Sequence, residues 1–578
     1  MPQMGDNPGM TRHFDIVIVG GGSAGCVLAN RLSADGRRTV ALIEAGPDTP
    51  PDHTDAVLWD SYPIVAYFDP RHHWTDLRVY HQPPHTSEKD DRQLRRYEQA
   101  RVMGGGSSIN GMMANRGAPG DFDEWAELGA EGWSWDDVLP WYRKLERDLD
   151  CNGPLHGSDG PMPLRRVNRS DWPGFSNAAA AALEASGLPY VFDQHDGYAP
   201  AYFPIVINNE HDRRASAATQ YLDRATRARP NLSIFPMTRV TRLMFDGKRA
   251  AGVKMAVEGG VTARFSSGEV ILCCGAIHTP ALLQHSGIGE DGILRSLGIE
   301  VVANRPAVGR NLQEHPQIAV SSYLTPDARQ PWSQRRHVFA GFRYSSGIDG
   351  CGEVDMYGVV VNRGAWHAAG QKLGGFLIWV NRSYSRGWVG IRSPHPEIEP
   401  RVEMNFLGDD RDRLRLEDAL KRIAALYRHP ALRQMAKSPF PTSYTEGSRD
   451  RAVVTVKNRL WAVPIARALD GPALLRRRTI ASRFSGGLSL FDMVHDPEVL
   501  AEFIRTRAHG TWHCCGTARM GREDDPQAVT DPVGRVIGVE GLRVADASLM
   551  PTVPRANTNL PVMMIGEKIA DAVLKDWA

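Results

Sequence analysis

The stretch FDIVIVGGGSAGCVLANRL, residues 14–32, limits the fold of this chain more than any other. Phe14 to Val19 is rich in Val and Ile and reads as a buried parallel strand. Gly20, Gly22 and Gly25 follow in a GxGxxG spacing, and Ala24 to Leu32 reads as a helix. One glycine makes the tight turn, one lets backbone approach a pyrophosphate, and one lets helix and strand pack closely. The helix N-terminus then faces the phosphates. The next strand, Thr39 to Glu44, ends in a carboxylate 19 residues after Gly25, where a ribose hydroxyl partner belongs. A glycine-rich turn that binds nothing is the plain alternative. Strand, glycines, helix, strand and acid in register favour a dinucleotide fold, without separating NAD from FAD.

A second glycine run, RVMGGGSSINGMMANRG at residues 101–117, offers backbone amides with no bulky side chain to block a flat ring. A flexible loop is its alternative reading. Glu269 to Gly275 reads as a strand, and residues 276–289 as a helix with Pro280 near its start. Leu542 to Asp546 reads as a short strand ending in an acid. Asn557 to Pro561 opens a helix with Ile565, Ile569 and Val573 on one face. The chain therefore returns at its end to the nucleotide fold.

Charge excludes other classes. The 68 Lys and Arg nearly cancel the 67 Asp and Glu, so no basic field gathers nucleic acid. No run of about twenty apolar residues predicts a membrane span. The apolar start is broken by glycines and lacks a basic leader and cleavage site, so no signal peptide is expected. Seven cysteines, an odd number, point to reduced thiols and a cytoplasmic enzyme. The Arg-rich stretch at 467–483 reads as solvated surface rather than a partner site.

Residues 509–521, HGTWHCCGTARMG, pose a choice between a metal site, a redox dithiol and a single histidine base. Zinc needs three or four ligands at workable spacing. His513, Cys514 and Cys515 are sequential, with no CxxC or HxxxH. Adjacent cysteines close only a strained ring. His513 therefore reads as an acid/base residue, with the two cysteines as small packing groups.

GGGSAG followed by Glu44, ARVMGGGSSINGMMANRG, GAIHTPALLQHSGIG, HCCGTARMG and DASLMPTVPRANTNLP occur in this order. Together they resemble the glucose-methanol-choline family of FAD-dependent alcohol oxidoreductases. The resemblance runs from about Phe14 to the C-terminus. It implies an α/β (overall α+β) architecture: a Rossmann-like FAD-binding domain with an inserted substrate-binding domain on an antiparallel sheet with helices. The FAD-binding part is expected at 14–160, 215–314 and 506–578, and the substrate part at 161–214 and 315–505. GFLIWVNRSY reads as one of its strands.

By resemblance His513 is the catalytic histidine and Asn557 its partner, with no metal. FAD contacts are implied at Gly20, Gly22, Ser23, Ala24, Gly25, Glu44, Ala45, Met103, Gly104, Gly105, Ser108, Asn110, Gly111, Val240, Asp546, Ala547, Asn557 and Pro561. Met103, Leu377, Trp379 and Trp512 are implied to line the substrate pocket. Some relatives attach FAD to a histidine just after the serine pair. Ile109 stands there, so noncovalent FAD is expected. Residues 451–500 run longer and more basic than the pattern.

The implied reaction takes a primary alcohol on a furan or aryl ring to the aldehyde, with O2 reduced to hydrogen peroxide. A base must reach the hydroxyl, and histidine suits because its ordinary pKa lies near working pH. A choline-type or other dehydrogenase with a quinone or carrier acceptor, and a redox-silent FAD-containing lyase, remain open alternatives.

Overall fold

In the computed structural model, residues 12–82, 94–257, 262–442 and 444–578 are described. The glycine-flanked strand, Arg12–Val19, lies at the centre of the first sheet. It pairs in parallel with Val40–Ile43 on one side and Thr262–Leu272 on the other. Leu232–Phe235 extends one end, and Leu542–Val544 also joins Thr262–Leu272 in parallel. Arg249–Val257 and Thr238–Asp246 complete the sheet antiparallel. The central strands bury nearly every side chain, which explains their unbroken apolar sequence.

The first helix, Ser23–Leu32, packs against the last, Asn559–Asp576. Gly566 sets that approach: a Cβ there would lie 3.1 Å from the Cβ of Val27. Ile565, Ile569 and Val573 are buried as the periodicity predicts. Several boundaries differ from expectation: the strand expected at Glu269 to Gly275 runs over Thr262–Leu272, and two helices also shift. The helix after Cys274 covers Gly275–His285 and stops short of residue 289. Gly287, with φ +87°, turns the chain so that Ile288–Gly289 pairs with Ala303–Asn304. The last helix starts at Asn559 rather than Asn557, whose side chain is held elsewhere.

The second sheet runs Ala436–Thr442, Pro316–Leu324, Leu373–Val380, Met356–Val361, Val338–Tyr344 and Ala201–Pro204, with antiparallel neighbours. Alternation gives it two unlike faces. Ile318, Val320, Val360, Phe376 and Ile378 face helices Gly174–Ala185 and Asp410–Arg428 and form an apolar core with them. Gln317, Ala319, Val359, Val361, Leu377 and Trp379 face the other way, into a cavity.

Two features cross the expected domain boundaries. Arg78–Tyr80 and Leu94–Arg96 share a four-stranded sheet with Arg401–Glu403 and Trp388–Gly390. His509–Gly510 joins the second sheet by pairing with Pro316–Leu324. The Arg-rich stretch is helical, over Val456–Asp470 and Ala473–Ile480, with Arg467, Arg477, Arg478 and Arg483 exposed. Among the described residues no helix is long and apolar enough to cross a membrane.

Candidate active site

One cavity of about 610 Å³ joins the two sheets. It starts at the first glycine turn, where Gly20, Gly22, Ser23, Ala24, Glu44 and Ala45 line it. Gly105, Asn110, Gly111, Val240, Asp546 and Ala547 also line it. It ends between His513 and Asn557 and the wall of Leu377 and Trp379.

The glycine cradle would not survive side chains. A Cβ on Gly105, which has φ +53°, would lie 2.8 Å from Gly22 Cα. One on Gly25 would collide with the Gly20 carbonyl, so Gly25 sets helix–strand packing and stays out of the cavity wall. Glu44 accepts from Gly21 N at 2.9 Å and from Gly46 N at 2.8 Å. Burial pushes its carboxyl up to about 7 against those amides. Gly104, Ser108 and Pro561 also lie behind the wall rather than in it. Ser108 Oγ donates to the Met103 carbonyl at 2.7 Å.

Met103 corrects an expectation. Its side chain is fully buried beneath Gly21, whose added Cβ would meet Met103 Sδ at 2.5 Å. It supports the glycine turn from the core and does not line the substrate cavity.

His513 is held by four neighbours. Both oxygens of Glu314 accept from His513 N, each at 2.9 Å. Thr511 Oγ1 donates to Glu314 at 3.0 Å and lies 2.7 Å from His513 Nδ1. His315 Nδ1 lies 3.0 Å from the same nitrogen. The Thr511 hydroxyl proton is spent on Glu314, so its oxygen accepts from His513 Nδ1–H. The lone pair then sits on Nε2, 3.0 Å from Asn557 Nδ2. Burial pushes the His513 pKa down to about 3, far from the near-neutral value expected for a free histidine. The imidazole is therefore neutral at pH 7.

Glu314 was not visible as a site residue in the sequence, although the NLQEHP stretch holds its signal. Its fully buried carboxyl also accepts from Tyr97 Oη at 2.5 Å and His315 N at 2.7 Å. Glu314, His315 and His513 bring potential ligand atoms within 4.8 Å of one another. With the carboxylate occupied by these donors, the set is a hydrogen-bonded frame.

Cys514 and Cys515 are buried free thiols, and burial raises both above the ordinary range. Cys515 lies in the main core, and Cys514 Sγ lies 3.0 Å from Tyr97 Oη. They pack as the sequence predicts.

The far wall is uncharged. Trp379 is 1% exposed and stacks on Tyr357 with centroids 4.8 Å apart. Leu377 follows the strand alternation onto the same face, between Ala319 and Val359. Trp512 has φ +64°, a left-handed conformation unusual for a bulky residue. Its indole packs edge-on to Tyr67 and Tyr444.

Three carboxylates line the cavity, and each is partnered. Asp546 accepts from Gly275 N, Thr279 and Ser548. Glu44 holds two amides. Glu98 accepts from Tyr67 Oη and Trp512 Nε1, both at 3.2 Å, and lies 3.3 Å from Arg449 Nε.

A dinucleotide cradle opening onto a histidine–asparagine pair defines an FAD-dependent oxidoreductase of CH–OH groups. The family patterns of the GMC oxidoreductases match residues 14–317 and 383–566. The chain belongs to the GMC oxidoreductase family. It is 42% identical to the 5-(hydroxymethyl)furfural oxidase of Methylovorus sp. (strain MP688), over 97% of this chain and 98% of that protein. It is 34% identical to an oxygen-dependent choline dehydrogenase of Klebsiella pneumoniae subsp. pneumoniae, over 97% and 96% of the two chains. The crystal structure of a pyridoxine 4-oxidase from Mesorbium loti superposes with a TM-score of 0.79, at 26% identity, covering 97% and 99%.

Proposed function

We propose that this enzyme oxidises primary alcohols on flat conjugated rings, such as hydroxymethylfurfural or benzyl alcohol, to aldehydes with O2 as acceptor. One observation carries the reading: a neutral imidazole and the amide of Asn557, in hydrogen-bond contact at 3.0 Å, line a cavity whose opposite wall is uncharged and carries Trp379. Similarity to a hydroxymethylfurfural oxidase supports it.

His513 Nε2 takes the hydroxyl proton, and its neutral form is the one present at pH 7. Asn557 Nδ2 donates to the substrate oxygen and steadies the charge that grows there. Trp379 and Leu377 hold the ring flat and apolar, with Trp512 at the side. Bound FAD supplies the hydride acceptor. Gly20, Gly22, Ser23, Ala24 and Gly105 leave room for its phosphates, while Glu44 marks its ribose end. Asn110, Gly111, Val240, Asp546 and Ala547 line the rest of its path. Ile109 offers no attachment atom, so the flavin is noncovalent and leaves with acid or heat denaturation.

Segments 14–160, 215–314 and 506–578 form the cofactor part, and 161–214 with 315–505 the substrate part. His509–Gly510 lends a short edge to the substrate sheet. The enzyme works in the cytoplasm on a small-molecule alcohol, with no nucleic acid partner.

A choline-type reading draws on Glu98, set among Tyr67, Tyr444 and Trp512. Arg449 already neutralises that carboxylate, which favours neutral substrates. The deciding experiment compares kcat/KM for benzyl alcohol, hydroxymethylfurfural, choline and an aliphatic alcohol under air, reading peroxide. The ring alcohols should lead. Choline ahead by about tenfold, equivalent to about 1.4 kcal/mol of transition-state preference, overturns the aromatic reading.

A further inference from the structure

The proposed role of Asn557 depends on which way its amide points. With Nδ2 toward the substrate oxygen it donates and stabilises growing negative charge. Turned over, its Oδ1 would compete with His513 for the hydroxyl proton and repel that charge. A planar amide makes both orientations sterically alike, so a neighbour must choose.

We infer that Asn115 and Gln194 are positioning residues that lock Asn557 as a donor through a one-way chain of amides. This rests on the reading of His513 and Asn557 given above. Asn115 Nδ2 donates to Asn557 Oδ1 at 2.6 Å, which leaves Asn557 Nδ2 facing His513 Nε2 at 3.0 Å. Gln194 Nε2 donates in turn to Asn115 Oδ1, so Asn115 cannot turn over without losing both bonds. Gln194 Nε2 also lies 3.4 Å from His195 Nε2. Burial, with Arg116 next, holds the His195 pKa well below its ordinary value, so the ring beside Gln194 is neutral. The direction of the chain is set at its other end, where His513 Nε2 carries the lone pair facing Asn557 Nδ2. The two links from Gln194 to Asn115 and from Asn115 to Asn557 both run nitrogen to acceptor, toward the active site. Asn115 and Gln194 are 5% and 3% exposed, so both amides sit inside the protein.

The far end is anchored. His195 N donates to Asp193 at 3.1 Å. Asp193 pairs with Arg166 at 2.7 Å and His156 at 2.9 Å. Arg343 donates from Nη1 to the Gln194 carbonyl at 2.7 Å and from its other nitrogens to Gly197 and Ala199. The segment carrying Gln194 is therefore fixed by buried charges, and the orientation it dictates passes through Asn115 to the reacting oxygen.

Removing the donor tests the chain. Asn115→Leu should lower kcat roughly 10- to 100-fold, the scale of a misplaced catalytic group, with KM and FAD content near wild type. Asn115→Asp should be worse than Asn115→Leu at neutral pH. An ionised carboxylate accepts from Asn557 Nδ2 and turns Oδ1 toward the substrate. In an Asn557→Ala background, Asn115→Leu should cost nothing further. A purely structural Asn115 predicts the opposite pattern: Leu at least as harmful as Asp, and losses that add to those of Asn557→Ala. That pattern overturns the inference. Should Asn115→Leu fail to fold, Gln194→Met, which removes the preceding donor, is read against Asn557→Ala in the same way. Full activity in both His513→Ala and Asn557→Ala would reject the catalytic reading itself, a result distinct from additivity.

Discussion

His156 and His513 stand at the two ends of one hydrogen-bonded chain, and the molecule treats them in opposite ways. Burial pushes both imidazoles toward the neutral form. Around His513 nothing opposes that push strongly, and its pKa falls to about 3. Its ring neighbours, Thr511, His315 and Asn557, are all uncharged at neutral pH. Around His156, hydrogen bonds to Asp148, Asp193 and Glu146 outweigh burial and raise it to about 10. Nδ1 lies 3.1 Å from Asp148 and Nε2 2.9 Å from Asp193. The lesson is that depth does not set a histidine's charge; the partners do. One end of the chain is a cation that anchors, and the other is the neutral imidazole to which the proposed function gives the role of base.

The sharpest way to break this contrast is to remove the reactive end. His513→Ala should retain FAD and lose roughly 10²- to 10⁴-fold in turnover, the usual span of a general base. Anaerobic reduction of the flavin by a good alcohol substrate reads the step directly. Near-wild-type reduction would mean that His513 does not take the proton.

How much of this was written in the sequence depends on distance along the chain. Gly20, Gly22, Gly25 and Glu44 were legible because a turn and two strands fix them locally. His513 and Asn557 were legible through their motifs, and Leu377 with Trp379 through the family resemblance. Glu314, Glu98, Asn115 and Gln194 were not. Each acts on a residue 199, 414, 442 or 79 positions away, and no spacing rule spans such gaps. Met103 was placed in the pocket by resemblance alone, while the turn points it beneath Gly21. The helix start was set two residues early because Asn557 has its side chain committed to His513 and Asn115. The depth of the His513 pKa shift was missed too, since burial cannot be read from a motif.

The anchoring end should reveal itself in stability rather than turnover. The folded His156 pKa is raised above its ordinary value of 6.5. Its contribution is therefore fully present below about pH 6.5 and lost as pH rises through about 10. Melting temperature should fall across that window, and His156→Gln should flatten the fall while lowering Tm at pH 6.5. An unchanged slope in the variant would assign the alkaline loss to other groups.

The smallest effect belongs to the two thiols beside His513. If the reactive end works by neutrality and geometry, exchanging one neutral side chain for another should leave the chemistry nearly intact. Cys514→Ser keeps a hydroxyl within reach of Tyr97 Oη, where Cys514 Sγ now lies 3.0 Å away. Cys515→Ser instead places a hydroxyl in a fully buried apolar core, which costs about 1–3 kcal/mol of stability if it finds no partner. The pair should thus separate in melting temperature, with Cys515→Ser lower, while both keep turnover far above His513→Ala. Loss of turnover in either serine variant as deep as in His513→Ala would move the chemistry from the imidazole to sulfur.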